Sequence, residues 1–141
     1  MIVLDTGPLF EALDAAARRH QEARRFLDQE PGPLLLSPFV LAELDYMITS
    51  RLGQPAEERF LADVADSAYE LISLDAAEIG TCLRLIERYR DLNIGLADAS
   101  VAVIAANFRT TRLFTRDHRH FRAIKPLWGE NFTLLPADGP G

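Results

Sequence analysis

Cysteine is nearly missing from this chain. One residue, Cys82, in 141 removes any internal disulfide framework and any multi-cysteine zinc site. Cys82 shares a helical stripe with Ile79, Leu83 and Ile86, so it reads as a small core residue rather than a reactive thiol. No apolar run approaches the ~18 residues of a membrane span. The opening Met1-Ile2-Val3-Leu4 meets Asp5 too early for a secretory h-region. The expected location is the cytoplasm, with no membrane partner. Basic residues are outnumbered, 15 against 21 acidic, and the net charge of −6 counts against a general nucleic-acid coat. It does not exclude a nuclease whose acids gather around a metal. Repeats, linkers and low-complexity segments are absent. With 48% hydrophobic and 26% charged residues, disorder is excluded as well. The length predicts one domain over residues 1–141.

What is present alternates between two periods. Met1–Leu4 reads as a buried strand ending in the turn Asp5-Thr6-Gly7-Pro8. Helices follow at Leu9–Asp14 and His20–Gln29, then a strand at Leu34–Leu36. Ser37-Pro38 is a helix start, a capping hydroxyl before a first-turn proline, and predicts a helix from Phe39 to about Arg51. Gln54-Pro55 opens another, to about Asp66. A third strand is expected at Tyr69–Leu74, and Asp75 caps a helix to about Arg90. Leu96–Phe108 is apolar nearly all round and therefore central. Strands at Leu113–Thr115 and Phe132–Leu135 complete the pattern. Strands separated by helices imply crossover connections: an α/β fold, a three-layer α/β/α sandwich on a mostly parallel five-stranded sheet.

Four acids stand out against this frame. Asp5 ends the first strand, at the carboxyl edge where open α/β sheets place ligands; helix capping is its structural alternative. Glu43 has Phe39, Val40, Tyr46 and Met47 at helical spacing, which predicts an interior carboxylate. Such a group needs a partner, whether a buried arginine or something else. Asp98 is the one charged residue between Ile94 and Ala106, near the start of the central helix, where the helix dipole also favours an anion. Asp117 ends the fourth strand as Asp5 ends the first. All four can point at one sheet edge. Carboxylates within ~4 Å repel by about 4 kcal/mol per pair at an effective dielectric of 20, so their clustering requires a cation. Oxygen ligands select a hard ion, Mg²⁺ or Mn²⁺, and such a site suits phosphoryl chemistry.

Six of the fifteen basic residues (Arg109, Arg112, Arg116, Arg119, Arg122 and Lys125) fall in seventeen positions whose one acid is Asp117. With His118, His120 and Phe121 interleaved, the segment reads as a nucleic-acid path, the alternative being a solvated charged surface. His118 and His120 lack the further ligands a zinc site needs.

Ile2-Val3-Leu4-Asp5-Thr6, Leu41-Ala42-Glu43, Leu96-Ala97-Asp98-Ala99 and Thr115-Arg116-Asp117 with Phe121 resemble, in this order, the PIN-domain family, in particular its VapC-like toxins. The likeness covers essentially the whole chain. It implies cleavage of single-stranded or looped RNA with Mg²⁺ or Mn²⁺. Asp5 and Asp98 would be the principal metal ligands, Glu43 and Asp117 would complete the acidic cluster, and Thr6 and Thr115 would be supporting hydroxyls. Asp117 belongs to the expected metal set, and Arg112, Arg116, Arg119 and Arg122 to the expected RNA path. The resemblance also implies a homodimer silenced by a cognate antitoxin protein. Two other readings compete. One is a PIN-like dimeric binding module using Leu127-Trp128 and the Phe39–Ile48 helix as its interface. The other is an aspartic-protease half-site from Asp5-Thr6-Gly7, which the helical periodicity contradicts.

Overall fold

The structure, a computed structural model, describes residues 1–139. Five parallel strands, β1 (Ile2–Leu4), β2 (Leu34–Leu36), β3 (Glu70–Leu71), β4 (Arg112–Phe114) and β5 (Thr133–Leu135), lie in the order β3-β2-β1-β4-β5. The helices among the described residues are α1 (Thr6–Leu13), α2 (His20–Gln29), α3 (Pro38–Arg51), α4 (Gln54–Ala65), α5 (Ala76–Arg88), α6 (Leu96–Asn107) and α7 (His118–Ala123). A 3₁₀ turn, Arg90–Leu92, ends the α5 region.

The central strands are apolar on both faces because both faces are covered. Ile2, Val3 and Leu4 of β1 and Leu113 and Phe114 of β4 have no exposed surface. Val3 pairs with Leu35 on one side and Leu113 on the other, and Leu4 pairs with Phe114. The chain builds β1, β2 and β3 outward in one direction, then returns past β1 to place β4 and β5. Crossovers running in the two directions put helices on both faces, the α/β sandwich expected from the sequence. The reversal falls between β1 and β4, and at that switch point the carboxyl ends of neighbouring strands open a crevice.

Several boundaries differ from the sequence reading. The Asp5-Thr6-Gly7-Pro8 segment is the cap and first turn of α1, where proline is tolerated, rather than a separate turn. Strand β3 keeps two residues of the six expected, both exposed, because it is an edge with one neighbour. The stripe assigned to α5 is partly wrong: Cys82 is buried, but Ile79 and Leu83 lie at the surface. Helix α7 was not anticipated. Asp117 caps it through the His120 N–H at 3.0 Å, and Phe121 anchors it edge-on against Phe132, with centroids 5.7 Å apart. Among the described residues no helix is long and apolar enough to cross a membrane.

Candidate active site

Each functional side chain is placed by a local rule. Asp5 follows β1 and caps α1: its Oδ1 accepts the Thr6 N–H at 2.9 Å. Thr115, just past β4, donates its hydroxyl to Asp5 Oδ2 at 2.7 Å and accepts the Asp117 N–H at 2.9 Å. One threonine thus ties the two strand-end acids together, while Asp5 also caps α1. Asp98 is the third residue of α6, whose cap is Gly95. With no side-chain cap, the positive end of α6 and its free N–H groups remain at the site. Helix α3 is fixed to α6 by a buried contact. Ser37 caps α3 by accepting the Phe39 N–H, and its hydroxyl lies 2.7 Å from Ser100 Oγ. Since Ser100 donates to the Ala97 carbonyl, Ser37 is the donor between the two hydroxyls.

These elements bring all four acids to one cavity of about 590 Å³, lined by Asp5, Glu43, Asp98, Asp117, Thr6 and Arg116, with Gly7, Gly95, Leu96 and Ala97 forming the rest of its wall. Glu43 arrives differently from the sequence expectation. It is exposed, not interior, because α3 carries apolar side chains around to solvent as well, with Tyr46 73% exposed. Among the described residues no guanidinium pairs with Asp5, Glu43, Asp98 or Asp117.

The electrostatics follow from this crowding. Burial pushes the Asp5 carboxyl up from 3.8 to about 6; Asp98 and Asp117 push it further, against the pull of Thr115 and the Thr6 N–H. Asp98 is also raised, chiefly by burial and then by Asp117, while His120 and the Gly95 backbone draw it down. Thr6 is 5% exposed and its Oγ1 has no partner. The donor set fits a hard divalent cation: converging carboxylates that raise one another's proton affinity, beside an unsatisfied buried hydroxyl. Asp98, Asp117 and His120 each offer one ligand atom within 4.8 Å of the others. The sequence offers His120 only as half of a His118–His120 pair that lacks further ligands; the fold supplies Asp98 from α6 and Asp117 from the α7 cap beside it.

The expected RNA path divides. Arg112 does not reach the site. It begins β4 at the opposite sheet edge, where Nη1 and Nη2 hold Glu30 at 2.7 and 3.0 Å and Nη1 also donates to the Met1 carbonyl. Arg116 lines the acidic cavity but donates to Glu11 at 2.8 Å and Glu22 at 2.6 Å. Arg122 pairs with Asp138. Arg119 is exposed, in no ion pair among the described residues, and lines a second cavity of about 710 Å³ with Arg19 and His118. The two cavities share Arg116 and Asp117. Leu127 and Trp128 are 45% and 44% exposed.

Comparison with known proteins agrees with this geometry. The PIN-domain family model matches residues 2–126, a span containing all four acids. Ribonuclease VapC26 of Mycobacterium tuberculosis (strain ATCC 25618 / H37Rv) is 39% identical over 135 residues, covering 96% of this chain and 100% of that protein. In fold, the chain is similar to the sarcin–ricin loop cleaving toxin VapC20 of M. tuberculosis, with a TM-score of 0.77 at 19% identity, over 84% of this chain and 93% of that one. A toxin–antitoxin complex from Klebsiella pneumoniae gives 0.67 at 20% identity, over 92% and 100%. VapBC2 from Rickettsia felis, bound to a DNA fragment from its promoter, gives 0.66 at 24%, over 94% and 99%. The chain belongs to the PIN-domain family and, within it, to the VapC-like proteins.

Proposed function

We propose that this protein is a Mg²⁺- or Mn²⁺-dependent endoribonuclease, the toxin of a VapBC-type toxin–antitoxin pair. The observation that carries the reading is the meeting of Asp5, Glu43, Asp98 and Asp117 at one cavity, with every nearby arginine either turned elsewhere or unpaired. Similarity to a ribonuclease at 39% identity supports RNA as the substrate class.

Asp5, Asp98 and Asp117 would hold the ion, with Glu43 reaching it directly or through water. A cation held there would supply a water of lowered pKa and neutralise charge on the phosphodiester. Thr115 keeps Asp5 and Asp117 oriented, and the buried Thr6 hydroxyl is free to orient a water. The uncapped start of α6 faces the site with positive potential suited to a phosphate. By analogy with the family, water would add to phosphorus as the P–O3′ bond breaks, the water losing one proton and the departing O3′ taking one up, to give 5′-phosphate and 3′-hydroxyl ends. Arg119, with Arg19 and His118, would carry the adjoining RNA backbone through the second cavity, with Arg116 at the junction. Arg122 is engaged by Asp138 and Arg112 by Glu30, so neither is assigned to this path.

The likeness to toxin–antitoxin complexes supports a cognate antitoxin as partner, and the half-exposed Leu127 and Trp128 are apolar surface available to it or to a second copy in a homodimer. The decisive experiment titrates divalent ions into an RNA-cleavage assay, wild type beside Asp98→Asn. Cleavage should require the ion, vanish with chelator, and fall by at least about 10²-fold in the variant. Robust cleavage by the purified Asp5→Asn/Asp98→Asn protein refutes the proposal. Stable co-purification with a small protein, without ion-dependent cleavage once separated, supports the binding-module reading instead.

A further inference from the structure

Helix α7 presents a nitrogen donor to the acid cluster. His120 Nδ1 lies 2.8 Å from Asp117 Oδ2 and 3.2 Å from Asp98 Oδ2. Nδ1 is buried, yet neither oxygen is aligned with the ring to form a hydrogen bond. An imidazole that serves only as a brace aims its N–H at the carboxylate it holds. Ligands about 2.1 Å from a shared ion in octahedral array behave otherwise. They sit about 3 Å from their neighbours, and the donor axis points at the ion. The two distances around Nδ1 are of that size, and the three donor atoms fit within 4.8 Å. An independent sign of a polar ligand is Thr6: buried, its Oγ1 unpartnered, it lines the cavity that Asp98 and Asp117 also line.

We infer that His120 Nδ1 is a direct metal ligand alongside Asp98 and Asp117, so that the centre is a mixed nitrogen–oxygen site. The inference rests on the metal-dependent reading above. Its chemical consequence is selectivity. Carboxylates and water serve Mg²⁺ and Mn²⁺ alike, whereas an imidazole nitrogen adds more to the affinity for a transition metal than for Mg²⁺. Coordination through Nδ1 leaves the ring proton on Nε2. The α7 cap and the Phe121–Phe132 contact hold the ring in place.

The test uses the full-length protein loaded with Mn²⁺ and read by pulsed electron paramagnetic resonance for directly bound ¹⁴N, together with calorimetric affinities for Mn²⁺ and Mg²⁺. Wild type and His118→Ala should show the nitrogen coupling, and His120→Gln should lose it. Mn²⁺ affinity should fall about tenfold in His120→Gln and Mg²⁺ affinity by less, so the ratio between them narrows. Mn²⁺ bound to wild type without nitrogen coupling, or with coupling that persists in His120→Gln, overturns the inference and leaves the nuclease reading standing. Failure of wild type to bind either ion sinks both. If His120→Gln does not fold, the wild-type and His118→Ala spectra decide alone.

Discussion

Removing one charge at the centre of the site should make the metal-free protein more stable. The Asp5 carboxyl is raised from 3.8 to about 6 in the folded chain, mainly by burial and further by Asp98 and Asp117. The folded state therefore holds this proton more tightly than the unfolded state, and stability falls as pH rises between those values. Above the folded value the whole penalty is present. At about 1.4 kcal/mol per pH unit it amounts to about 3 kcal/mol. By pH 4 it has shrunk below about 1 kcal/mol. Asn at position 5 keeps the shape and can still cap α1, but it forfeits the charge-assisted hydrogen bond from Thr115. An unfolding entropy of about 2.1 cal/mol/K per residue makes 3 kcal/mol about 10 °C for a chain of this length. After the lost hydrogen bond, Asp5→Asn should melt about 5 °C above wild type at pH 7.5 in chelator. The gain should disappear near pH 4. It should also disappear when a divalent ion is added, because an ion at about 100 times its dissociation constant stabilises wild type by about 2.7 kcal/mol and the variant far less. Scanning calorimetry at the two pH values, with and without ion, reads all of this. An Asp5→Asn protein that melts below wild type in chelator at pH 7.5, or shows the same difference at both pH values, refutes the electrostatic reasoning.

Thr115→Val removes the donor to Asp5 and the acceptor of the Asp117 N–H; urea denaturation should show a loss of about 1–3 kcal/mol, with ion affinity reduced as the two acids lose their common tether. Arg112→Ala and Arg119→Ala should separate stability from substrate binding. The first leaves the covered Glu30 carboxyl with the Met1 ammonium as its remaining partner and destabilises by about 1 kcal/mol without changing the KM for RNA; the second leaves stability unchanged and raises that KM. Because Arg112 holds the Glu30 carboxyl below its ordinary range, wild type should lose this contribution as pH falls through that lowered value, and an acid melt should show a smaller loss in Arg112→Ala. Gly95→Leu should fold normally, since φ is −100° there and a Cβ meets nothing within 4 Å. Its side chain would stand in the cavity mouth, so calorimetry should find ion binding retained while RNA cleavage falls.

The parts of the fold that were legible from the sequence were those where one local signal sufficed. A three-residue apolar run ended by Asp marks β1, and Ser37-Pro38 marks α3, because buried parallel strands and capped helices each leave a short unambiguous trace. Asp98 was legible for the same reason, a lone charge in a buried helix. Glu43 was found for a mistaken reason: its apolar neighbours at helical spacing suggested an interior face, but Tyr46 is the most exposed of the large hydrophobics. Periodicity reports which residues share a side, not what that side meets. The basic segment misled through its linearity. From Arg112 at one end of β4 to Asp117 beyond the other is five residues, about 16 Å at the strand rise, so residues adjacent in sequence serve opposite edges of the sheet. Helix α7 and its C-cap carry two buried apolar anchors, Phe121 and Ile124, too few for a 3.6-residue pattern, so the sequence shows His120 without showing that it meets Asp98.

The arrangement of the arginines argues for an external cation as strongly as the acids do. Arg116 precedes Asp117 in the chain and lines the same cavity, so a purely structural cluster would use it as the counter-charge. Instead Glu11 on α1 and Glu22 on α2 hold its guanidinium from the other side. Arg122, one turn beyond Asp117 on α7, goes to Asp138. Two glutamates and an aspartate are thus occupied in keeping positive charge away from carboxylates that repel one another, an arrangement that stability alone disfavours. On the proposed reading the contradiction resolves. A guanidinium fixed on the cluster would occupy the place of a divalent ion, while a cluster without an ion repels the phosphates it must meet. On that reading a cation drawn from solvent would relieve the acids and turn the cavity attractive to RNA, and ion binding would precede substrate binding.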